Sequence, residues 1–391
     1  MASDDAVGVW IIGARGSVAT TAMTGAAAIA ARLAQPVGLV TAQPPFTEVA
    51  LPPVGRLVFG GHDVSDTPLP KRAEALADEG VMAPSLVQSV ADALSAIDGD
   101  IRPGVRDESG EPPAEAVARV QADIESFRAS HDLARVVVVN LASTEPPPPD
   151  HPAFERLDAL REALDDPAMT LPRSAVYAIA GYQAGCPFID FTPAAATRLP
   201  ALAALAEEER LPFAGRDGKT GETLVKTALA PMFRDRALRV HSWSGTNLLG
   251  GGDGANLAQE ANVRSKLQSK AAALEAILGY PVESPLHIDY VSDLGEWKTA
   301  WDHITFEGFL GTRMRMQFTW EGCDSTLAAP LVLDLVRLVA RAHELGQAGP
   351  LAALAYFFKD PVGTDEHRLA PQYSALCEWA ESTLKGTADT R

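Results

Sequence analysis

The sequence predicts an α/β protein in which a doubly wound parallel sheet is followed by a second, α+β domain. Its 391 residues exceed what one ordinary core holds, so two domains are expected. Before residue 190, short apolar runs end in glycine-rich or polar loops, as buried parallel strands do. From about 190 to 330 the runs alternate apolar and polar residues, which is typical of antiparallel strands.

The first predicted strand and helix enclose a glycine turn in "VGVWIIGARGSVATTAMTGAAAIAARLA". The helix is expected from about Thr20 to Ala34, so its N-terminus lies where a pyrophosphate binds in dinucleotide folds. Only Gly13 and Gly16 are present, so the GxGxxG spacing is not met. The acid usual some 20 positions on is missing from "VGLVTAQPPF". The turn alone leaves both a dinucleotide site and a plain strand-turn-helix open.

Three further strands are predicted before residue 190. "RLVFGGHDVSD" ends in two glycines and Asp63, and "SAVYAIAG" (174–181) also reads as a strand. "ARVVVVNLASTEPPPPDHP" is a buried strand with residues 140–145 at its carboxyl end, where ligands bind in open α/β sheets. The alternative for "LASTE" is a plain strand-to-loop transition.

The remaining elements belong to the second domain and the C-terminal region. "GRDGKTGETLVKTALAPMF" predicts a loop leading into a helix. "ALRVHSWSGTNLLGGG" and "PLHIDYVSDLGEWKTAWDHITFEGFLGTRMRMQFTWEG" predict antiparallel strands. "STLAAPLVLDLVRLVARAHELG" (325–346) predicts a long amphipathic helix, with another around 351–359. Both helices are expected to pack on the first domain.

Composition excludes several function classes. A formal charge of −18 argues against nucleic-acid or anionic-membrane partners. No apolar run approaches the roughly 18 residues of a membrane span, and "MASDDAVGVW" is unlike a signal peptide. Cys186, Cys323 and Cys377 suit a reducing compartment, and the histidines lack metal-ligand spacing. We expect a cytoplasmic protein without a metal.

A few charged side chains stand out against this acidic background. The lysines are Lys266, Lys270, Lys298 and Lys359, and the aspartates in glycine or turn contexts are Asp217, Asp253 and Asp324. Lys266 and Lys270 share a face if their segment is helical, so they are either solvated or bind an anion between them. Taken singly, each lysine is compatible with a solvated surface charge, and each aspartate with a turn former.

Five segments, in the same order, resemble the myo-inositol-1-phosphate synthase family. They are "GKTGETLVKTAL", "NLLGGGDGANL…RSKLQSK", "YVSDLGEWKTAWD", "CDSTLAAPLVLDLV" and "FFKDP". The resemblance covers most of the chain and is strongest from about 215 to 340. The turn at 13–16, "VFGGHDVSD" and "LASTE" are similar to that family's NAD-binding segments, more loosely.

The resemblance implies a domain organisation and a reaction. It implies an NAD-binding Rossmann domain over 1–190, a catalytic and tetramerisation domain over 191–330, and C-terminal helices over 331–391 that return to the first domain. The family isomerises glucose 6-phosphate to inositol 1-phosphate with no net redox change. A hydride leaves C5 to NAD, the C6 carbanion adds to the C1 aldehyde, and the hydride returns.

The resemblance also implies catalytic roles, which suit chemistry that develops several oxyanions beside a phosphate. Lys266 would transfer a proton at the C5 oxygen, tuned by Asp217 and Asp253. Lys359 would stabilise the oxygen at C1. The residues implied to hold the phosphate and the developing enolate are Lys270, Lys298, Thr220 and Gly221. Neighbouring ammonium groups lower one another's pKa, which suits a lysine base.

The resemblance also implies a set of cofactor-binding residues, although the sequence departs from the family pattern at several positions. The residues implied to line NAD are Gly13, Gly16, Ser17, Val18, Asp63, Ser143, Thr144 and Asp324. In the substrate loop Gly251 and Gly252 replace an asparagine pair, and Arg15 and Val18 depart from the usual glycine and asparagine string. Loss of two amide side chains removes hydrogen-bond partners and puts substrate choice in question.

Three alternatives stay open at this point. The same chemistry on a ketose phosphate such as fructose 6-phosphate would give a five-membered cyclitol phosphate. A simple NAD-dependent sugar-phosphate dehydrogenase would release NADH, and a non-catalytic NAD sensor would bind without turnover. The set of four lysines favours the cyclase, since hydride transfer alone requires fewer cations.

Overall fold

The computed structural model describes residues 6–106, 110–251 and 274–385, which form two compact units. The first unit comprises Met1–Gly218, Ala329–Thr364 and Ala375–Arg391, and the second comprises Lys219–Ala328 and Asp365–Ser374. The expected division of function, with NAD binding before residue 190 and catalysis between 191 and 330, stays a prediction.

A seven-stranded parallel sheet organises the first unit. Its strands are β1 (Val7–Ile12), β2 (Leu57–Asp63), β3 (Ile101–Pro103), β4 (Arg135–Asn140), β5 (Phe188–Asp190), β6 (Pro212–Gly215) and β11 (Gly349–Pro350). The strand order is β11-β6-β5-β4-β1-β2-β3, and all pairs are parallel. The order reverses between β1 and β4, which is where ligands bind at the carboxyl edge of such sheets. The predicted Rossmann-type architecture is confirmed.

Helices cover the faces of this sheet. They are α1 (Ser17–Ala30), α2 (Leu69–Asp78), α3 (Pro84–Ser89), α4 (Ala91–Asp98), α5 (Pro113–Ser130), α6 (Pro152–Glu155), α7 (Leu157–Leu164), α8 (Arg173–Gln183) and α9 (Pro200–Glu208). Every residue of β1 is buried, as expected for a strand covered on both faces. The apolar core of this unit includes Trp10, Ile124 and Val138.

The segment 174–181 was predicted as a strand, and this prediction is wrong: it lies within helix α8. Every residue from Ser174 to Tyr182 is buried. A helix buried on all sides shows a continuous apolar run without a 3.6-residue period, so periodicity cannot separate it from a buried strand. The helix begins beside Glu145, whose carboxylate accepts a hydrogen bond from the Ser174 backbone N–H at 3.2 Å.

The second unit contains a four-stranded sheet and helix α10 (Gly221–Asp235). The strands are β7 (Arg239–Leu249), β8 (Leu286–Tyr290), β9 (Trp297–Glu307) and β10 (Arg313–Cys323), in the order β10-β9-β7-β8. β9 is antiparallel to both β7 and β10, as predicted. β8 is parallel to β7, so the antiparallel prediction is wrong there. The connection from 250 to 285 is long enough for the crossover that a parallel pair needs.

The C-terminal elements include a long helix, α11 (Asp324–Glu344), and α12 (Leu369–Trp379). The predicted helix over 325–346 is thus confirmed. In the first unit the Asp334 carboxylate accepts hydrogen bonds from the backbone N–H groups of Val40 at 2.6 Å and Thr41 at 3.2 Å. The helix expected at 351–359 is shorter, a 3₁₀ turn over Ala352–Phe357. It ends because Phe358 forms an isolated β-bridge with Gly218.

Across the described parts of the chain, every helix is too short or too polar to cross a lipid bilayer.

Candidate active site

The turn between β1 and α1 has the backbone that a dinucleotide site requires. Gly13 has φ +83°, in the left-handed region that favours glycine. A Cβ at Gly13 would lie 3.0 Å from the Ala142 Cα, so the turn lies tightly against the segment that follows β4. Gly16 precedes the 14-residue helix α1 and has no side chain to cover its N-terminus. That N-terminus is suited to a phosphate group.

Asp63 lies at the carboxyl end of β2, where dinucleotide folds carry the acid that binds a ribose hydroxyl. Its Oδ2 accepts a hydrogen bond from the Arg15 backbone N–H at 2.6 Å, and its Oδ1 accepts one from the Ser65 N–H at 2.7 Å. The segment between α1 and β2 places this acid much later in the sequence than the usual spacing. The Arg15 side chain donates from Nε to Asp98 at 3.0 Å.

The ends of β4 and β5 carry a buried polar pair that the sequence analysis missed. Asn140 donates from Nδ2 to Asp190 Oδ1 at 3.0 Å, and its own Oδ1 accepts from the Ala142 N–H at 3.1 Å. Asp190 is fully buried, and burial raises its pKa to about 7. Asp190 could have been identified from the sequence, because it is an acid at the end of the apolar run "FID". The pair fixes the loop in which Ser143 and Thr144 are exposed.

The first unit therefore fits NAD. The geometry at Gly13, the N-terminus of α1 and the position of Asp63 are the features that the pyrophosphate and a ribose require. The structure brings together the predicted cofactor residues Gly13, Gly16, Ser17, Val18, Asp63, Ser143 and Thr144 at the carboxyl edge of the first sheet. The other predicted cofactor residue, Asp324, lies in the second unit against Lys298.

Lys359 and Asp217 form a cluster in the first unit. The Lys359 ammonium donates to Asp217 Oδ1 at 2.7 Å, and the Lys359 backbone N–H donates to the Asp217 carbonyl at 2.7 Å. Asp217 has φ +59°, which residues other than glycine seldom adopt and which concentrates at functional sites. A side chain at Gly218 would collide with the Phe191 ring. The ammonium–carboxylate pair is thus held by backbone as well as side-chain contacts.

A second cluster surrounds Lys298 in the second unit. Its ammonium donates to the Asp324 carboxylate and lies 5.4 Å from the ring centroid of Trp320. A side chain at Gly221, the first residue of α10, would collide with that ammonium. Thr220 precedes the helix. A cation at the positive end of a helix is unfavourable alone, so an anion between them would be stabilised by both.

The predicted phosphate-binding loop also contains buried polar residues that the sequence analysis missed. Lys219 is 3% exposed and donates to the Gln372 side chain. Burial lowers its pKa to about 7. Glu222 pairs with Lys226 at 2.6 Å and accepts from Asn247 Nδ2 at 2.8 Å. Sequence reasoning could have identified Lys219 and Glu222, because they directly flank the predicted site residues Thr220 and Gly221.

Four predicted site residues lie outside the described residues: Lys266, Lys270, Asp253 and Gly252. Gly251 lies two residues after the end of β7 and is the last described residue before them. A Cβ at Gly251 would have the Glu296 side chain 3.8 Å away, so this glycine has space around it.

Known proteins resemble this chain, some of them along nearly its whole length. The family model for myo-inositol-1-phosphate synthase matches residues 7–381. Inositol-3-phosphate synthase 1 of Bacteroides thetaiotaomicron is 31% identical over 95% of this chain and 93% of its own length. Inositol-3-phosphate synthase of Candida glabrata is 31% identical over a shorter stretch, which is 57% of this chain and 43% of its own length.

Solved structures share the fold. The inositol-3-phosphate synthase of Caenorhabditis elegans has a TM-score of 0.87 at 23% identity, covering 99% of this chain and 87% of that one. A myo-inositol-1-phosphate synthase-related protein of Thermotoga maritima has a TM-score of 0.79 at 23% identity, with 96% and 98% covered.

Proposed function

The chain belongs to the myo-inositol-1-phosphate synthase family, and from that premise we propose that it isomerises glucose 6-phosphate to an inositol phosphate with NAD and no net redox change. The observation that carries the proposal is the meeting of the Lys298 ammonium with the N-terminus of α10 at Gly221. Two sources of positive potential converge there, and both would stabilise a phosphate dianion.

The second unit would bind the phosphate. Thr220 and Gly221 would supply donors at the start of α10, and Lys298 would supply a charge that Asp324 orients. Lys270 would complete the phosphate and enolate contacts. Gly251 and Gly252 would border the sugar without donating a side-chain hydrogen bond.

The reaction requires cations at each oxygen that becomes negative. Bound NAD supplies hydride acceptance and hydride return at C5. Lys266 would remove and return the proton on the C5 oxygen, and Asp217 and Asp253 would tune its proton affinity. Lys359, held by Asp217, would stabilise the oxygen that develops at C1 during ring closure. The residues proposed to bind the cofactor are Gly13, Gly16, Ser17, Val18, Asp63, Ser143, Thr144 and Asp324.

A homotetrameric assembly and a cytoplasmic location remain part of the proposal. Their support is the family for the assembly and the composition for the location. A ketose phosphate as substrate has no support among the relatives described, all of which are named for inositol phosphates. It serves here as the second arm of the test.

The test is a product assay on the purified protein with catalytic NAD, read by phosphorus and carbon NMR. Glucose 6-phosphate is expected to give a six-membered cyclitol phosphate with no net change in nicotinamide absorbance. Stoichiometric NADH would identify a dehydrogenase instead. A product from fructose 6-phosphate alone would overturn the proposed substrate while retaining the cyclase chemistry.

A further inference from the structure

Trp320 belongs to the same cluster as Lys298, and the N–H of its indole ring forms no hydrogen bond with the described residues. The indole Nε1 is buried and has no hydrogen-bond partner among the described residues. Leaving a buried N–H without an acceptor is unfavourable, so an unpaired donor in a folded protein calls for an explanation. Buried tryptophan normally finds an acceptor, as Trp243 does by donating to Asp302 at 2.7 Å in the same unit.

The strand register explains how the ring reaches this position. In the β9–β10 pair Lys298 lies opposite Gly322, and Trp320 lies opposite Ala300. Trp320 and Gly322 are two residues apart, so both face the same side of the sheet, and Trp320 is the diagonal neighbour of Lys298. A Cβ at Gly322 would be 2.8 Å from the Trp320 Cζ3 atom. Because Gly322 has no side chain, the Trp320 ring can lie beside Lys298.

One edge of the Trp320 ring lies near the start of α10. The Trp320 atom nearest the Cβ position of Gly221 is Cζ2, at 3.6 Å. Cζ2 is bonded to the ring carbon that carries Nε1, so the unused donor lies at that same edge. The Lys298 ammonium is 5.4 Å from the ring centroid. Three groups that favour an anion thus lie near one another: an ammonium, a helix N-terminus and an indole that carries an unpaired N–H.

We propose that the Trp320 indole N–H donates a hydrogen bond to the substrate phosphate, as a positioning and specificity residue beside Lys298. The inference rests on the proposed function, because that function supplies the phosphate at Gly221. On this account the phosphate oxygen provides the acceptor that Nε1 lacks.

The test compares Trp320→Phe with Trp301→Phe. The first variant removes the N–H and keeps an aromatic ring beside the lysine. The second makes the same change at a partly exposed tryptophan on β9, one residue beyond Ala300 and hence on the opposite face of the sheet. For each variant we would measure kcat and KM for glucose 6-phosphate. We would also measure the Kd for inorganic phosphate on the NAD-loaded protein by calorimetry.

Trp320→Phe is expected to raise both KM and the phosphate Kd by about tenfold and to leave kcat within about twofold, since one hydrogen bond to a charged group is lost. Trp301→Phe is expected to leave all three unchanged. Gly322→Ala retains the N–H but crowds the ring, and is expected to raise the same two constants.

An unchanged phosphate Kd in Trp320→Phe overturns the inference, as does an equal change in Trp301→Phe or the absence of phosphate binding to the wild type. The phosphate measurement requires no turnover. If the wild type forms no cyclitol, the proposed function fails, while the two phosphate affinities still decide the role of Trp320.

Discussion

At the scale of single residues, the contact between Lys359 and Asp217 carries the most chemical meaning. The two residues are held by a side-chain bond and a backbone bond, each of 2.7 Å. Asp217 adopts the left-handed backbone at φ +59°, a conformation that disfavours most side chains. Together these contacts fix the direction of one ammonium group, as stabilising a single developing oxyanion requires.

Lys359→Ala is expected to lower kcat for cyclitol formation by at least about a hundredfold, because a preorganised cation at a developing oxyanion is lost. NAD affinity should stay within about twofold of the wild type. The matched control is Lys385→Ala, which removes a surface lysine paired with Glu48 at 2.7 Å. Steady-state kinetics and NAD titration would check both variants. An equal loss in the control, or normal kcat in Lys359→Ala, would contradict the assigned role.

Family resemblance in the sequence was sufficient to identify Lys298, Lys359 and Asp217 as candidates, because each stands in a distinctive segment. The residues with which such side chains pair were harder to predict from the sequence. The sequence places Asp324 in a motif resembling a cofactor segment, whereas the β9–β10 register brings it to Lys298. Asp190 looked like an ordinary strand end, because its partner Asn140 comes from another strand. Contacts between distant segments follow from strand order, which local patterns do not contain.

At the scale of elements, the turn from β1 into α1 shows how one backbone conformation determines a binding site. Gly13 is left-handed where the chain turns from the strand into the helix, and a Cβ there would lie only 3.0 Å from backbone atoms of Ala142. Gly25, within the same helix, has nothing within 4 Å of its Cβ position. The two glycines therefore have opposite expected responses to the same substitution.

Gly13→Ala is expected to weaken NAD binding by about tenfold or more and to destabilise the fold, because a left-handed alanine costs about 1 to 2 kcal/mol before any clash with Ala142. Gly25→Ala should instead stabilise the protein by about 0.5 to 1 kcal/mol, because alanine is the better helix former. NAD titration and thermal unfolding would test the pair. Unaltered NAD affinity in Gly13→Ala would argue against cofactor binding at this turn.

The N-terminus of helix α8 is held by the side chain of Glu145. The Glu145 carboxylate accepts from the Ser174 N–H at 3.2 Å and from the Ser174 hydroxyl. Glu145→Ala is therefore expected to lower the free energy of unfolding by about 1 kcal/mol, as loss of a capping acceptor does. Urea denaturation would measure this. A matched change at Glu155, which is exposed at the end of helix α6, should have little effect.

Elements were predicted well where polar residues recur at helical spacing, as in α11, whose apolar residues are interrupted by Asp334, Arg337 and Arg341. They were predicted poorly where burial is complete, as in α8, because an apolar run then has no period to read. The parallel pairing of β8 with β7 was also out of reach, since pairing direction depends on the path of the intervening chain.

At the scale of the whole molecule, buried ionisable groups connect stability to pH. Burial lowers the pKa of Lys219 to about 7, opposed by the attraction of Glu366, and the ammonium donates to Gln372. The unfolded chain has an ordinary lysine. Between about pH 7 and 10.5 the unfolded state therefore binds more protons than the folded state. Burying Lys219 thus costs stability in full below this window, and the cost disappears as pH rises through it.

Lys219→Met should remove this dependence. From pH 7.5 to 9.5 the wild type is expected to gain about 2 kcal/mol of unfolding free energy relative to the variant, given about 1.4 kcal/mol for each pH unit. Urea denaturation at several pH values would measure the difference. Lys71→Met, at a surface lysine paired with Glu74, should parallel the wild type. Parallel curves for Lys219→Met and the wild type would contradict the assignment.

The parallel sheet of the first unit has a consequence for synthesis on the ribosome. Strand β6 ends at Gly215, but its outer neighbour β11 begins only at Gly349, after residues 219–328 of the second unit have been translated. Asp334, which holds the backbone of Val40 and Thr41, is also made late. A nascent chain paused before residue 330 would expose an unpaired edge of β6 and an unanchored segment near residue 40. Such a pause is when this chain has the greatest need of a chaperone.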